Sequence, residues 1–267
     1  MTAWRLIVHD KAEPAWNMAF DEVVLERALA HGGPATVRFF GWDRPAITIG
    51  YAIDAAATLD LDECERRGVP VVRRVTGGGL VFHGWDLTYA ITFPRDAIAP
   101  GQGLIEIFWT INRAFASALE GFGVRAGLLE GGDAPGPPAG ACFARPTRYD
   151  LVVGGKKLVG NAQRRRRNWL LNHGSMPLSD GYRELLPLLR DEREAAAFET
   201  QSVGLDAVAA PVPSRAELVG AIGDAFGAAL GVRLEPGRAL DEELARAEAL
   251  AAGKYRNARW NRGGEAV

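Results

Sequence analysis

The stretch Arg73-Arg-Val-Thr-Gly-Gly-Gly-Leu-Val-Phe-His83 gathers groups that chemistry can use. Three adjacent glycines, Gly77, Gly78 and Gly79, remove every side chain from a point where backbone must come close to something. A ligand tail or acyl group could lie there, although a bulge or tight turn uses glycines in the same way. Arg73, Arg74, Thr76 and His83 on the flanks add cationic and hydrogen-bonding groups and favour a site. A second candidate is Lys157, in Gly155-Lys-Lys-Leu-Val-Gly-Asn-Ala-Gln163, where an ammonium could point at a carbonyl or phosphate. A solvated hairpin lysine is the commoner use of such a position. Cys142 follows a breaker-rich loop and has Arg145 and Arg148 nearby, which would draw a thiol toward the thiolate. A lone cysteine more often packs as a small hydrophobe, and no histidine adjoins this one. The run Arg164 to Arg167 reads equally as a solvated edge and as a patch for an acidic partner.

These residues need elements to hold them. Apolar spacing over 16–30 predicts a helix stopped by Gly32-Gly33-Pro34. Residues 35–40 and 46–50 read as the two strands of a hairpin turned at 41–45. A helix over about 57–67 would hold Leu61 and Cys64 on its apolar side. Strands are expected at 70–74 and 85–93, flanking the glycine loop. Residues 104–122 read as an amphipathic helix and 131–140 as a loop leading into Cys142. Tyr149-Asp-Leu-Val-Val153 and Lys156-Lys-Leu-Val-Gly160 form a hairpin across Gly154-Gly155, where a primed turn fits. A strand at 169–173 follows the arginine run. Beyond 180 the pattern is helical, over 181–190, 214–230 and 239–252, with caps at Ser214 and Asp241.

The chain of 267 residues, 48% hydrophobic and 24% charged, suits one large α/β domain, expected to span 1–267 with a helical C-terminal part from about 181. Lys plus Arg is 31 against Asp plus Glu 33, a formal charge of −2, so no overall basic field points to nucleic acid. No signal-like N-terminus or long apolar run appears, which reads as a cytoplasmic protein outside the membrane. Two cysteines and four scattered histidines are poor material for a disulfide framework or a zinc site.

The glycine motif, Lys157-Leu-Val-Gly-Asn-Ala-Gln163 and His173-Gly-Ser-Met-Pro-Leu178 occur in the order found in the lipoate protein ligase and octanoyltransferase family, which this chain resembles over about residues 4–262. Asn17-Met-Ala-Phe-Asp-Glu22 and Lys254-Tyr-Arg-Asn-Ala-Arg-Trp-Asn261 are similar to the edges of that family. The resemblance implies an α/β (α+β) fold of the biotin/lipoate protein ligase type, with mixed β-sheets flanked by helices. Cys142-Phe-Ala-Arg-Pro-Thr-Arg-Tyr-Asp150 is similar to the segment that carries the nucleophile in the single-domain octanoyltransferases. It makes Cys142 and Lys157 the implied catalytic pair. Arg73, Arg74, Thr76, Gly77, Gly78, Gly79, His83, Gly160, Asn161, Ala162 and His173 become the implied substrate-binding residues. Asn161 and Thr147 stand where the family usually has serine, and both keep a hydrogen-bonding side chain.

The implied reaction moves an octanoyl group from octanoyl-acyl carrier protein, through a cysteine thioester, to a lysine of a lipoyl-type acceptor domain such as the glycine cleavage H protein. No cofactor is implied. The rival expectations are an ATP- and magnesium-dependent lipoate ligase lacking its accessory domain, an amidotransferase between lipoyl domains, and a non-catalytic scaffold that binds lipoyl domains. A scaffold needs neither the cysteine nor the lysine.

Overall fold

The structure, a computed structural model, describes residues 1–98, 103–129, 147 and 150–264. The first half builds β1 (Thr2–Ala12), α1 (Pro14–His31), β2 (Thr36–Trp42), β3 (Ala46–Ile49), α2 (Ala55–Thr58), α3 (Leu61–Arg66), β4 (Val71–Arg73), β5 (Leu80–His83), β6 (Asp86–Pro94) and α4 (Leu104–Glu120). There follow β7 (Gly127–Leu128), β8 (Leu151–Val153), β9 (Lys156–Arg166), β10 (Trp169–Pro177), α5 (Glu192–Gln201), α6 (Arg215–Leu230), β11 (Val232–Pro236) and α7 (Asp241–Leu250). A 3-10 stretch covers Asp180–Leu188, and two π-helical turns, Ala251–Tyr255 and Arg259–Gly263, close the chain.

The described strands form an eight-stranded sheet, ordered β11-β1-β2-β6-β10-β9-β8-β7, and a three-stranded sheet, ordered β4-β3-β5. The first is mixed: β1 runs parallel to β2 and β11, and the pairings from β2 to β7 are antiparallel. This matches the mixed, helix-flanked fold expected from the sequence. Every residue of β2 and of β10 is buried, because both faces of the large sheet are covered. On one face Phe39, Tyr89 and Phe93 pack with Phe115 of α4 and Phe226 of α6. On the other Phe40, Trp42, Ala90 and Leu171 pack with Met18 and Leu25 of α1. Strand side chains alternate between faces, so each strand feeds both cores. Each large apolar side chain fully buried this way contributes about 1.5–3 kcal/mol.

Four expectations about elements change. Residues 36–42 and 46–49 do not pair as a hairpin: β2 lies between β1 and β6 in the large sheet, and β3 lies between β4 and β5 in the small one. The turn at 41–45 carries the chain from one layer to another, which propensity within either strand does not encode. The C-terminal part is not wholly helical, since β11 joins the sheet beside β1, itself a strand without a clear sequence signal. Asp241 is the first residue of α7, whose cap position is Leu240. The arginine run lies largely within β9, and its Arg164 to Arg166 pair with β10.

Other expectations hold. Ser214 caps α6 through a reciprocal bond with Glu217. Gly154 and Gly155 take positive φ, 57° and 78°, as a primed turn between β8 and β9 requires. Cys64 is buried in the small-sheet core, and burial pushes its thiol up to about 11. Among the described residues no helix is long and apolar enough to cross a membrane.

Candidate functional site

The small sheet faces β9 and β10 across a narrow slot of about 30 Å3. Thr48, Arg74 and His83, on and beside the small sheet, form one wall, and Gly160, Asn161, Ala162, His173, Gly174 and Ser175 the other. Gly78 has φ +82°, and a Cβ there would lie 3.3 Å from Ala162 Cβ, so the loop packs against β9. A Cβ on Gly50 would fall 1.9 Å from Gly78 O. The close approach foreseen for these glycines is thus made, in part, to the chain's own backbone. Met18, Trp42 and Val81 make much of the remaining wall apolar.

Both histidines of the motifs line the slot, and each is fixed by a carboxylate. Asp21 Oδ2 lies 3.1 Å from His173 Nε2, and Thr76 Oγ1 lies 3.0 Å from His173 Nδ1. A carboxylate accepts only, so Nε2 donates to Asp21 and the bare Nδ1 accepts from Thr76. By the same argument His83 Nδ1 donates to Asp86 Oδ2 at 2.8 Å, and Nε2, 2.8 Å away, accepts from Thr48 Oγ1. Arg74 joins the two halves, donating to Thr76 Oγ1 at 3.1 Å and to Thr48 Oγ1 at 3.2 Å. One buried guanidinium therefore backs both hydroxyls, while Asp21 and Asp86 set the tautomers of the two rings. Asp21 also accepts from Arg38 at 2.7 Å. Burial would push its carboxyl up, but Arg38 and His173 outweigh that and hold it below the usual carboxylate range.

The other candidates go to different places. Arg74 also donates to Gly77 O at 2.8 Å and Gly79 O at 2.7 Å, clamping the loop it precedes. Arg73 points away from the slot, into carbonyls of Gly50, Tyr51, Ile53, Trp260, Asn261 and Arg262. The last three belong to the final π-helical turn, whose exposed carbonyls and dipole suit a cation. Asn161 is among the residues that line the slot, while its side chain is held by Tyr89, which donates to it, and by Asn112, to which it donates at 2.7 Å. Arg164 lies over the ring of Tyr51, 5.1 Å from its centroid, and Arg165 to Arg167 are exposed at the hairpin tip.

Lys157 is 2% exposed. Leu151 pairs with Val159 but Val152 pairs with Lys157, so β9 carries one extra residue at this point. Paired residues share a face, and the bulge therefore puts Lys157 on the face of Gly160 and Ala162, where regular alternation would have put it behind them. Its Nζ lies 3.0 Å from Asp150 Oδ2, a buried partner that the motif reading passed over. Seven residues before a lysine, across a Gly-Gly turn, an aspartate is within reach of it, but only the bulged register brings the two together. Cys142 lies outside the described residues.

A larger hollow of about 470 Å3 opens between α3, β4 and the C-terminal turns, lined by Glu13, Val71, Arg256 and others. Neither motif histidine nor Lys157 borders it, so size alone does not mark the site.

Residues 13–216 match the lipoyl protein ligase A/B catalytic domain family. The octanoyltransferase LipM of Symbiobacterium thermophilum is 38% identical over 97% of this chain and 98% of its own. That of Kyrpidia tusciae is 36% identical over 98% and 99%. Among solved structures, a lipoate-protein ligase A bound with ATP superposes with a TM-score of 0.83 at 23% identity, covering 98% of this chain and 99% of that one. Ta0514, a putative lipoate protein ligase from T. acidophilum with bound lipoic acid, gives 0.81 at 24% identity over 98% and 99%. These structural likenesses establish the fold.

Proposed function

The chain belongs to the lipoyl protein ligase A/B catalytic domain family, and we propose that it is an octanoyltransferase of protein lipoylation, with residues 1–267 working as one catalytic domain in the cytoplasm. The observation that carries this reading is a buried lysine, Lys157, turned by a bulge onto the face of β9 whose Gly160 and Ala162 line an apolar-walled slot, in a chain similar over its whole length to octanoyltransferases. The donor is octanoyl-acyl carrier protein and the acceptor is a lysine of a lipoyl-type domain.

Cys142 is the nucleophile. Its sulfur bonds to the octanoyl carbonyl carbon as the donor's carbon–sulfur bond breaks, and the carrier leaves as a thiol. The acceptor amine then attacks the same carbon, the bond to Cys142 breaks, and one amine proton returns to the sulfur. Net, a thioester and an amine become an amide and a thiol, with no nucleotide or metal consumed. Lys157 and backbone amides of the glycine loop supply positive potential to the developing oxyanion, each donor being worth about 3 kcal/mol. The acyl chain lies in the slot. At about 30 Å3 the slot holds only two or three waters, so mobile walls such as Met18 must shift to admit it.

The test is a pair of reactions with an apo acceptor domain. Octanoyl carrier protein alone should modify it, and free octanoate or lipoate with ATP and magnesium should not; the reverse outcome makes the protein a ligase. Intact mass should show one octanoyl adduct on the peptide that holds Cys142. Cys142→Ser should abolish transfer, whereas Cys64→Ser, altering a buried thiol of the small-sheet core, should keep activity within a few-fold.

A further inference from the structure

We propose that Asp150 and Thr147 are positioning residues that keep Lys157 a fixed ammonium on the Gly160 and Ala162 face of β9, so that it acts by its charge and does not accept the proton of the nucleophile. The inference rests on the octanoyltransferase reading for its catalytic consequence, but its physical content concerns Lys157 itself.

A lysine 2% exposed cannot keep its charge cheaply without a counter-ion. Asp150 Oδ2 supplies one at 3.0 Å and is itself buried. That same oxygen accepts from Thr147 N at 2.8 Å and from Thr147 Oγ1 at 3.0 Å, while Asp150 N donates back to Thr147 O at 2.9 Å. The carboxylate is thus locked in a tight turn and cannot follow the lysine elsewhere. From the other side Val203 N donates to Lys157 O at 3.0 Å and fixes the backbone at the bulge.

An ammonium beside a carboxylate in a water-poor site holds its proton more firmly than one without. Such a group is suited to stabilising an oxyanion and a thiolate, and unsuited to being their base. The proton of Cys142 then leaves to solvent when the thiolate forms, and the departing carrier thiolate takes one from solvent. Lys157 carries the same proton before and after both transfers.

The experiment follows the 15Nζ signal of Lys157 against pH in the wild type and in Asp150→Asn, alongside the rate of Cys142 acylation by octanoyl carrier protein. In Asp150→Asn the lysine should lose its proton at a pH lower by about one unit or more. Acylation should slow about ten-fold or more, and its alkaline limb should move down with the lysine. Identical lysine titrations overturn the inference. So does a slower reaction with an unmoved limb, which would make Asp150 a structural residue. If Asp150→Asn fails to fold, Thr147→Val, which keeps the backbone donor, should shift the titration the same way by less, and no shift overturns the inference. Failure of the wild type to form an octanoyl-Cys142 adduct overturns the functional reading, and the lysine titration then judges this inference by itself.

Discussion

Two regions of this protein are rich in arginine and use it in opposite ways. Around the small sheet, Arg73 and Arg74 are buried, and their donors go to backbone carbonyls and threonine hydroxyls. At the tip of the β9–β10 hairpin, Arg165 to Arg167 are exposed and make no ion pair with a described carboxylate. Several exposed arginines elsewhere are paired: Arg66 and Arg67 with Glu63, Arg183 with Glu199, Arg256 with Glu13 and Glu248. The difference teaches that an arginine next to a glycine motif need not be a ligand contact. Burial forces a guanidinium to find acceptors, and here the acceptors are the loop and the chain's last turn. The hairpin arginines are left available to a partner from outside.

The largest effect should come from Arg73→Met, which strips donors from carbonyls of two segments at once. A loss of about 4 kcal/mol or more in urea denaturation is expected. A stable variant with only a raised Michaelis constant would make Arg73 a substrate contact and break the comparison. Arg74→Gln should cost less stability, about 1–3 kcal/mol, but slow octanoyl transfer by about 100-fold, because the glycine loop and both histidines lose their common clamp. An unchanged rate constant would mean that the loop holds its shape without it.

The double variant Arg165→Glu with Arg167→Glu should leave stability within about 0.5 kcal/mol. It should raise the Michaelis constant for the carrier protein about three- to ten-fold and flatten its dependence on salt. If the salt dependence is untouched, the run is a solvated edge.

The smallest effect concerns another buried cation. Arg38 donates to His9 Nδ1 at 3.0 Å, and burial first, with Arg38 second, lowers His9 from 6.5 to about 4. The unfolded chain therefore takes up this proton before the native one does. Stability from His9 is complete above about pH 6.5 and is lost as the pH falls toward 4. His9→Gln should flatten the acid side of the stability curve across that window. A curve of unchanged slope would mean that His9 stays neutral in both states.

The sequence by itself determined what local patterns can carry. Apolar spacing placed α1 and α4, Ser214 placed the start of α6, and Gly154-Gly155 set the turn of the β8–β9 hairpin, since each rests on contacts a few residues apart. It also gathered the glycine loop, Lys157 and His173 into one candidate site through the order of their motifs. The tertiary structure decided which layer each strand entered, placing β2 and β3 in different sheets and pairing β11 with β1 across more than 200 residues. It alone decided that Arg73 serves the C-terminal turn, that the side chain of Asn161 is held by Tyr89 and Asn112, and that a bulge brings Lys157 to Asp150. The physical reason is common to all of these. The direction of a side chain on a strand flips with a one-residue change in register, and register is fixed by packing against neighbours that local sequence does not name.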